Sequence, residues 1–118
     1  PKGWSLPTGG SGGEFETLAT AYGYGTDSGS TVAGKLLVAN PSTATENING
    51  QYAPGLLLGG IYGSNGANNV GTNGYYWSST SYSVGHGYGL YISTSGVDPL
   101  HHNHKYYGRA VRCLLQES

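Results

Sequence analysis

Charge is what this chain lacks most. Five Lys and Arg stand against six Asp and Glu, 9% of residues are charged, and the net charge is −1. No basic patch exists to neutralise a phosphate backbone, so nucleic acid is not an expected partner. No acidic cluster offers the six to eight oxygens of a calcium site. No apolar run approaches the ~20 residues that cross a bilayer as a helix, so no membrane contact is expected of this domain. Aliphatic residues are also scarce: Leu, Ile, Val and Phe make up 21 of 118 residues, near the ~20% level that accompanies disorder. Disorder further requires high net charge and few aromatics, whereas 12% of these residues are aromatic. A core rich in Tyr, Trp and Leu is the alternative. Methionine is absent and the chain opens Pro1-Lys2-Gly3-Trp4. The expectation is one domain over 1–118, a fragment of a longer or processed chain, in which no targeting signal would be visible. Cysteine is limited to Cys113, a buried thiol in a reducing compartment or, in a secreted protein, one half of a pair with a cysteine outside this sequence. There is no Gly-x-Ser-x-Gly elbow and no persuasive pair of facing carboxylates. No enzyme activity, catalytic residue or cofactor is expected.

What is abundant is glycine and tyrosine, with 22 and 11 copies. The stretch 75–113 holds Tyr75, Tyr76, Tyr82, Tyr88, Tyr91, Tyr106 and Tyr107, seven of the 11 tyrosines, and all four histidines. Tyrosine supplies amphipathic contact area at low entropic cost, and Ser, Gly and Asn adapt their hydrogen bonds to a partner. That composition points to recognition. Together with the low charge it points to an extracellular, surface-displayed protein.

Element signals come in the order of an α+β domain. Trp4 to Thr8 reads as an entry strand ending at Pro7. Ser11 and Glu14 have capping-box spacing, and Phe15, Leu18, Ala19 and Tyr22 follow at helical intervals. Gly23 and Gly25 end that helix. Val32 to Val38 is a second short helix or a strand, broken by Asn40-Pro41, and 41–50 reads as a loop. Leu56-Leu57-Leu58 is a strand candidate that Ile61-Tyr62 extends, and 63–74 is a turn-rich loop. Strands begin at Tyr75. Tyr88, Leu90 and Ile92 alternate against Gly89 and Tyr91, and Arg109, Val111 and Cys113 alternate as a closing strand. Asp98-Pro99 is expected to end regular pairing. That leaves 81–88 and 100–106 as loops.

Five segments carry a family resemblance across almost the whole chain. Gly3-Trp4-Ser5-Leu6-Pro7-Thr8 is similar to the GWRLPT opening of the Fibrobacter succinogenes major paralogous domain. Glu14-Phe15-Glu16-Thr17-Leu18 falls where that family has its first helix. Val32-Ala33-Gly34-Lys35-Leu36 resembles its AGxKLK segment. Gly74-Tyr75-Tyr76-Trp77-Ser78-Ser79-Thr80 resembles its GYWWSST signature, and Gly108-Arg109-Ala110-Val111-Arg112-Cys113 its GxSVRC ending. The resemblance implies a C-type-lectin-like fold, in the branch shared with formylglycine-generating enzymes and with the variable proteins of diversity-generating retroelements. One or two short helices would pack on small antiparallel sheets, the chain ends would meet in a small sheet, and long ordered loops would form a ligand face. The enzymes of this branch use two cysteines. This chain has one, in the closing motif. In the variable proteins, Asn, Tyr, Ser, His, Asp and Gly scatter over the ligand face, as they do in 81–88 and 100–106.

The candidate ligand-binding residues are therefore Tyr82, Ser83, His86, Tyr88, His101, His102, Asn103, His104 and Tyr106. His102 and His104 would share a face in a strand, and His86 could join them, but surface recognition is preferred to a metal site and no metal is assigned. Trp4 and Trp77 are expected in the core, Arg112 as a partly buried structural arginine and Arg109 at the surface. The expected function is a non-enzymatic bacterial adhesion domain that binds a protein or glycan on another cell or surface. The alternative is a structural subunit that self-assembles in a surface fibre or pilus-like appendage.

Overall fold

The computed structural model describes residues 3–37, 56–63 and 66–115. It is an α+β arrangement of two helices and small antiparallel sheets. The strands are β1 (Trp4–Ser5), β2 (Ile61–Gly63), β3 (Gly66–Asn68), β4 (Asn73–Ser83), β5 (His86–Ser93), β6 (Gly96–His104) and β7 (Leu114–Leu115), and the helices are α1 (Glu14–Ala21) and α2 (Gly29–Leu36). β4, β5 and β6 form the main sheet in that order; β1 pairs with β7, and β2 with β3. Isolated bridges from Gly60 to Gly74 and from Tyr76 to Ala110 join the neighbouring segments to β4, and one from Tyr62 to Gly108 joins β2 to the segment before Ala110. Asn40-Pro41 and the proposed loop 41–50 lie outside the described residues.

The helical periodicity of α1 has the expected result: Phe15, Ala19 and Tyr22 are buried, with Leu18 packed beside them. Its cap differs from expectation. Gly13 is the N-cap and makes no side-chain cap bond. Gly10 and Gly12 adopt φ of 73° and 77°, a left-handed conformation that favours glycine. The tight turn they form brings Thr8 to the helix start. Thr8 and Glu14 then exchange the reciprocal bonds expected of Ser11 and Glu14: the Thr8 N–H donates to Glu14 Oε1 at 3.0 Å, and the Glu14 N–H to Thr8 Oγ1 at 2.8 Å. The second apolar segment is a helix, with Ser28 accepting the Thr31 N–H as its cap. Val32, Ala33 and Leu36 face the core.

The core joins these two helix faces to Leu56, Tyr76, Leu90 and Ile92. Strand alternation puts Tyr76, Leu90 and Ile92 on the helix-facing side of the sheet, with Tyr76 paired directly to Leu90. The Tyr76 hydroxyl accepts from the Leu57 N–H at 2.8 Å and donates to the Leu57 carbonyl at 3.2 Å. That clamp explains why Leu56-Leu57-Leu58 is not the expected strand. A side chain satisfies its backbone where a neighbouring strand would have done so, and only Leu56 is buried.

Four further expectations are corrected. The segments 81–88 and 100–106 are mostly paired strand, with 81–83 in β4, 86–88 in β5 and 100–104 in β6. Asp98-Pro99 does not end the ladder: pairs run from Ser93↔Gly96 to His86↔His104, with one register shift between Gly89 and Tyr91. There β6 carries one extra residue, a bulge in which Pro99 needs no ladder donor and the Leu100 N–H turns to Asp98 Oδ1 at 2.9 Å. Within 63–74, Gly66 to Asn68 is strand and β4 already starts at Asn73. Trp4 lies in β1, which is only two residues long, and is 48% exposed, so it anchors no core.

A second irregularity, in β4, ties the opening segment to the main sheet. Between Trp77↔Gly89 and Ser81↔Gly87 the register shifts, and Ser78, Ser79 and Thr80 fill the bulge. Ser78 Oγ donates to the Tyr88 carbonyl at 2.7 Å and accepts the Thr80 N–H at 3.1 Å. The Ser79 N–H donates to the Pro7 carbonyl at 2.8 Å, and the Gly9 N–H to Thr80 Oγ1 at 2.9 Å. The two motifs with which the family resemblance begins and peaks are thus in direct contact. A Cβ at Gly9 would lie 2.8 Å from Ser78 Cβ and 2.7 Å from Tyr88 Cβ. Gly9→Ala should therefore cost about 1–3 kcal/mol in urea unfolding through overpacking. Gly34→Ala, in α2 with nothing within 4 Å of the added carbon, should stabilise by about 0.5–1 kcal/mol.

Candidate functional site

The β5–β6 register sorts the histidines. Tyr88 pairs with His102 and His86 with His104, while Gly89 pairs with His101 and Gly87 with Asn103. Side chains alternate across a strand, so His86, Tyr88, His102 and His104 project from the helix-facing side, past the helices, and His101 and Asn103 from the other. The spacing of His102 and His104 already groups them on one face of a strand; the ladder sets His86 beside them and turns His101 and Asn103 away.

On the first side the rings form a continuous stripe. Tyr82, returning from the β4 bulge, stacks on His102 with centroids 3.8 Å apart and 4° between planes. It meets Tyr88 edge-on at 5.3 Å. His86 lies 6.0 Å from His102 and 4.5 Å from His104, and His104 stacks on Tyr106 at 5.0 Å. Ser83 Oγ is 3.2 Å from His86 Nδ1. Tyr107 adds a ring that sequence reasoning missed, 5.2 Å from His104; its place beside Tyr106 was the available signal. The structure thus brings together Tyr82, Ser83, His86, Tyr88, His102, His104 and Tyr106. Tyr82 is 50% and Tyr106 70% exposed. Tyr88 is half-buried, its ring against Gly10, and so belongs partly to the scaffold. Among the described residues no group of three or more His, Cys, Asp or Glu side chains is placed to hold a metal.

The other side of the sheet is organised around Arg109, reversing the roles expected of the two arginines: Arg112 is exposed and Arg109 half-buried. The bridge between Tyr76 and Ala110 lays 108–110 beside β4. The Arg109 side chain then crosses Gly89, whose absent Cβ would lie 2.5 Å from Nη1. Its guanidinium stands 4.3 Å from the Trp77 ring centroid and 5.5 Å from that of Tyr75. Tyr75, Tyr91 and His101 close a ring cluster around it, with centroids 5.2 to 5.8 Å apart. Trp77 is therefore half-buried under a cation and is no part of the core cluster. The three guanidinium nitrogens and His101 Nε2 are buried with no hydrogen-bond partner among the described residues. The π-faces meet the charge where hydrogen bonds do not. Burial pulls Arg109 down to about 10, so it keeps its charge at neutral pH. His101 is held below its ordinary 6.5, first by burial and then by the Arg109 charge, against the opposing pull of Asp98. The Asp98 carboxylate lies 3.7 Å from His101 Nδ1.

Comparison with protein-family models, with curated proteins and with solved structures finds no match to this chain.

Two outcomes follow from this second side. His101 is lowered on folding, so the unfolded chain binds its proton more tightly. The stability it contributes is whole above the unfolded value of 6.5 and is lost as pH falls below it. The melting temperature should drop between about pH 7.5 and about pH 5.5, and His101→Gln should flatten that drop; an equal slope in the variant would reject the assignment. Arg109→Lys keeps the charge but loses the planar stack, and should cost about 1–2 kcal/mol in denaturant unfolding.

Proposed function

We propose that this chain is a non-enzymatic ligand-binding domain of the C-type-lectin-like class, displayed outside a bacterial cell, and that it holds a protein or glycan through the ring stripe. The observation that carries this reading is the unbroken run of ring contacts from Tyr88 through Tyr82, His102, His86 and His104 to Tyr106. It rests on paired strands and ends in side chains largely open to solvent. Rigid aromatic groups lose little rotamer freedom when a partner covers them, so a preformed stripe suits recognition. For the fold assignment, support comes from the antiparallel pairing of Trp4 with Leu115, which joins the ends in a small sheet, from the two helices, and from the contact between the opening and signature motifs. The binding surface differs from the loop pair first expected: it is a sheet face, with His101 and Asn103 turned away from it.

The test uses a glycan array and an immobilised panel of extracellular proteins. The triple variant Tyr82→Ala, His102→Ala, Tyr106→Ala should weaken any partner of the parent by at least about tenfold, the loss of about 1.4 kcal/mol expected from a single good contact. Its melting temperature should stay close to the parent's. Tyr76→Ala, by contrast, removes a buried aromatic and should cost about 3–5 kcal/mol of stability. A triple variant that binds as the parent does, or that melts as Tyr76→Ala does, would overturn the reading.

A further inference from the structure

The β4 bulge that fastens the opening segment also shapes a cleft of about 260 Å³, lined by Trp77, the hydroxyl run from Ser78 to Ser81, Gly87 and Lys105. Its polar groups are committed in an unequal way. Ser78 Oγ donates to the Tyr88 carbonyl, Ser79 Oγ to the Pro7 carbonyl and Ser81 Oγ to the Ser83 carbonyl. Those three hydroxyl protons are committed to backbone carbonyls; the Ser78 oxygen also accepts the Thr80 N–H, so the exposed Ser79 and Ser81 oxygens keep lone pairs for a visitor. Lys105 is held at the cleft by its own N–H, which donates to the Gly85 carbonyl at 3.0 Å. Its ammonium has no hydrogen bond or ion pair among the described residues, in which Lys35 pairs with Asp27. Among the described residues no carboxylate lines the cleft, and Trp77 gives it an aromatic wall.

We propose that this cleft binds a carboxylated sugar. Its hydroxyls would donate to the Ser79 and Ser81 oxygens, a carbon–hydrogen face would pack on Trp77, and the carboxylate would take Lys105. The donors and acceptors match in kind. A neutral sugar leaves the ammonium unanswered, and a simple carboxylate leaves the serine oxygens unanswered. The cleft does not draw on the ring stripe, so the two readings stand or fall separately.

The experiment is an NMR titration of the ¹⁵N-labelled chain with sodium glucuronate, glucose and sodium acetate. Glucuronate should give saturable shifts at the Trp77 indole N–H and the Ser79 to Ser81 amides, with glucose and acetate at least about tenfold weaker, a difference of about 1.4 kcal/mol. Lys105→Gln should reduce glucuronate to the level of glucose without altering glucose itself. The stripe variant (Tyr82, His102 and Tyr106 to Ala) should bind glucuronate as the parent does. An oligouronate that binds more tightly than the monomer identifies an internal chain unit as the natural form, and equal binding identifies a single terminal sugar. Absence of saturation by about 100 mM glucuronate, which corresponds to binding weaker than about 1.4 kcal/mol, would overturn the proposal. So would equal binding of acetate, or full retention by Lys105→Gln.

Discussion

The rest of this structure depends on the joint between the β4 bulge and the segment Pro7 to Gly9. Two hydrogen bonds make it, from the Ser79 N–H to Pro7 and from the Gly9 N–H to Thr80. Residues some 70 positions apart are thereby fixed, which is costly in chain entropy and must be offset by what the contact organises. It organises a good deal. Thr8 is delivered to the start of α1, where it trades bonds with Glu14. The glycines that follow sit under Tyr88, and β4 is bent so that Tyr82 returns over His102. With few aliphatic residues available, polar contacts of this kind do part of the positioning that a larger apolar core would do elsewhere.

How much of this could be read from the sequence varies with how local the cause is. The face of α1 was legible because Phe15, Ala19 and Tyr22 recur at the helical period. The alternation from Tyr88 to Ile92 was legible as a strand for the same kind of reason. The cap of α1 was not, since Thr8 reaches Glu14 only through a turn built on left-handed glycines. The segments around 81–88 and 100–106 were misread because Ser, Gly, Tyr and His serve a solvent-facing strand and a loop equally well. The roles of Arg109 and Arg112 depend on the bridge between Tyr76 and Ala110, a contact between distant residues that no local pattern encodes. The shared face of His102 and His104 is legible in their spacing, whereas the strand pairing that sets His86 beside them and turns Asn103 away is not.

The two sides of the main sheet solve opposite electrostatic problems. One gathers imidazole and phenol rings in mutual contact. The other hides a guanidinium under indole and phenol rings and keeps a neighbouring histidine neutral beside it. Gly89 is what permits the second arrangement, because any side chain there would occupy the guanidinium's place. A strand position that looks empty in sequence is thus the seat of the most buried charge described.

The bulge at Pro99 has a further meaning. It adds a single residue to β6 between Asp98 and His101, and a single residue is half a strand period. Everything beyond it is therefore in odd step with everything before it. Regular pairing of the same residues without the bulge would set His101 opposite Tyr88 and Asn103 opposite His86, on the stripe side, and turn His102 and His104 to the side of Arg109. The identity of the exposed surface is in this sense a matter of parity. The bulge, and not the order of the histidines alone, decides which of them reach the stripe.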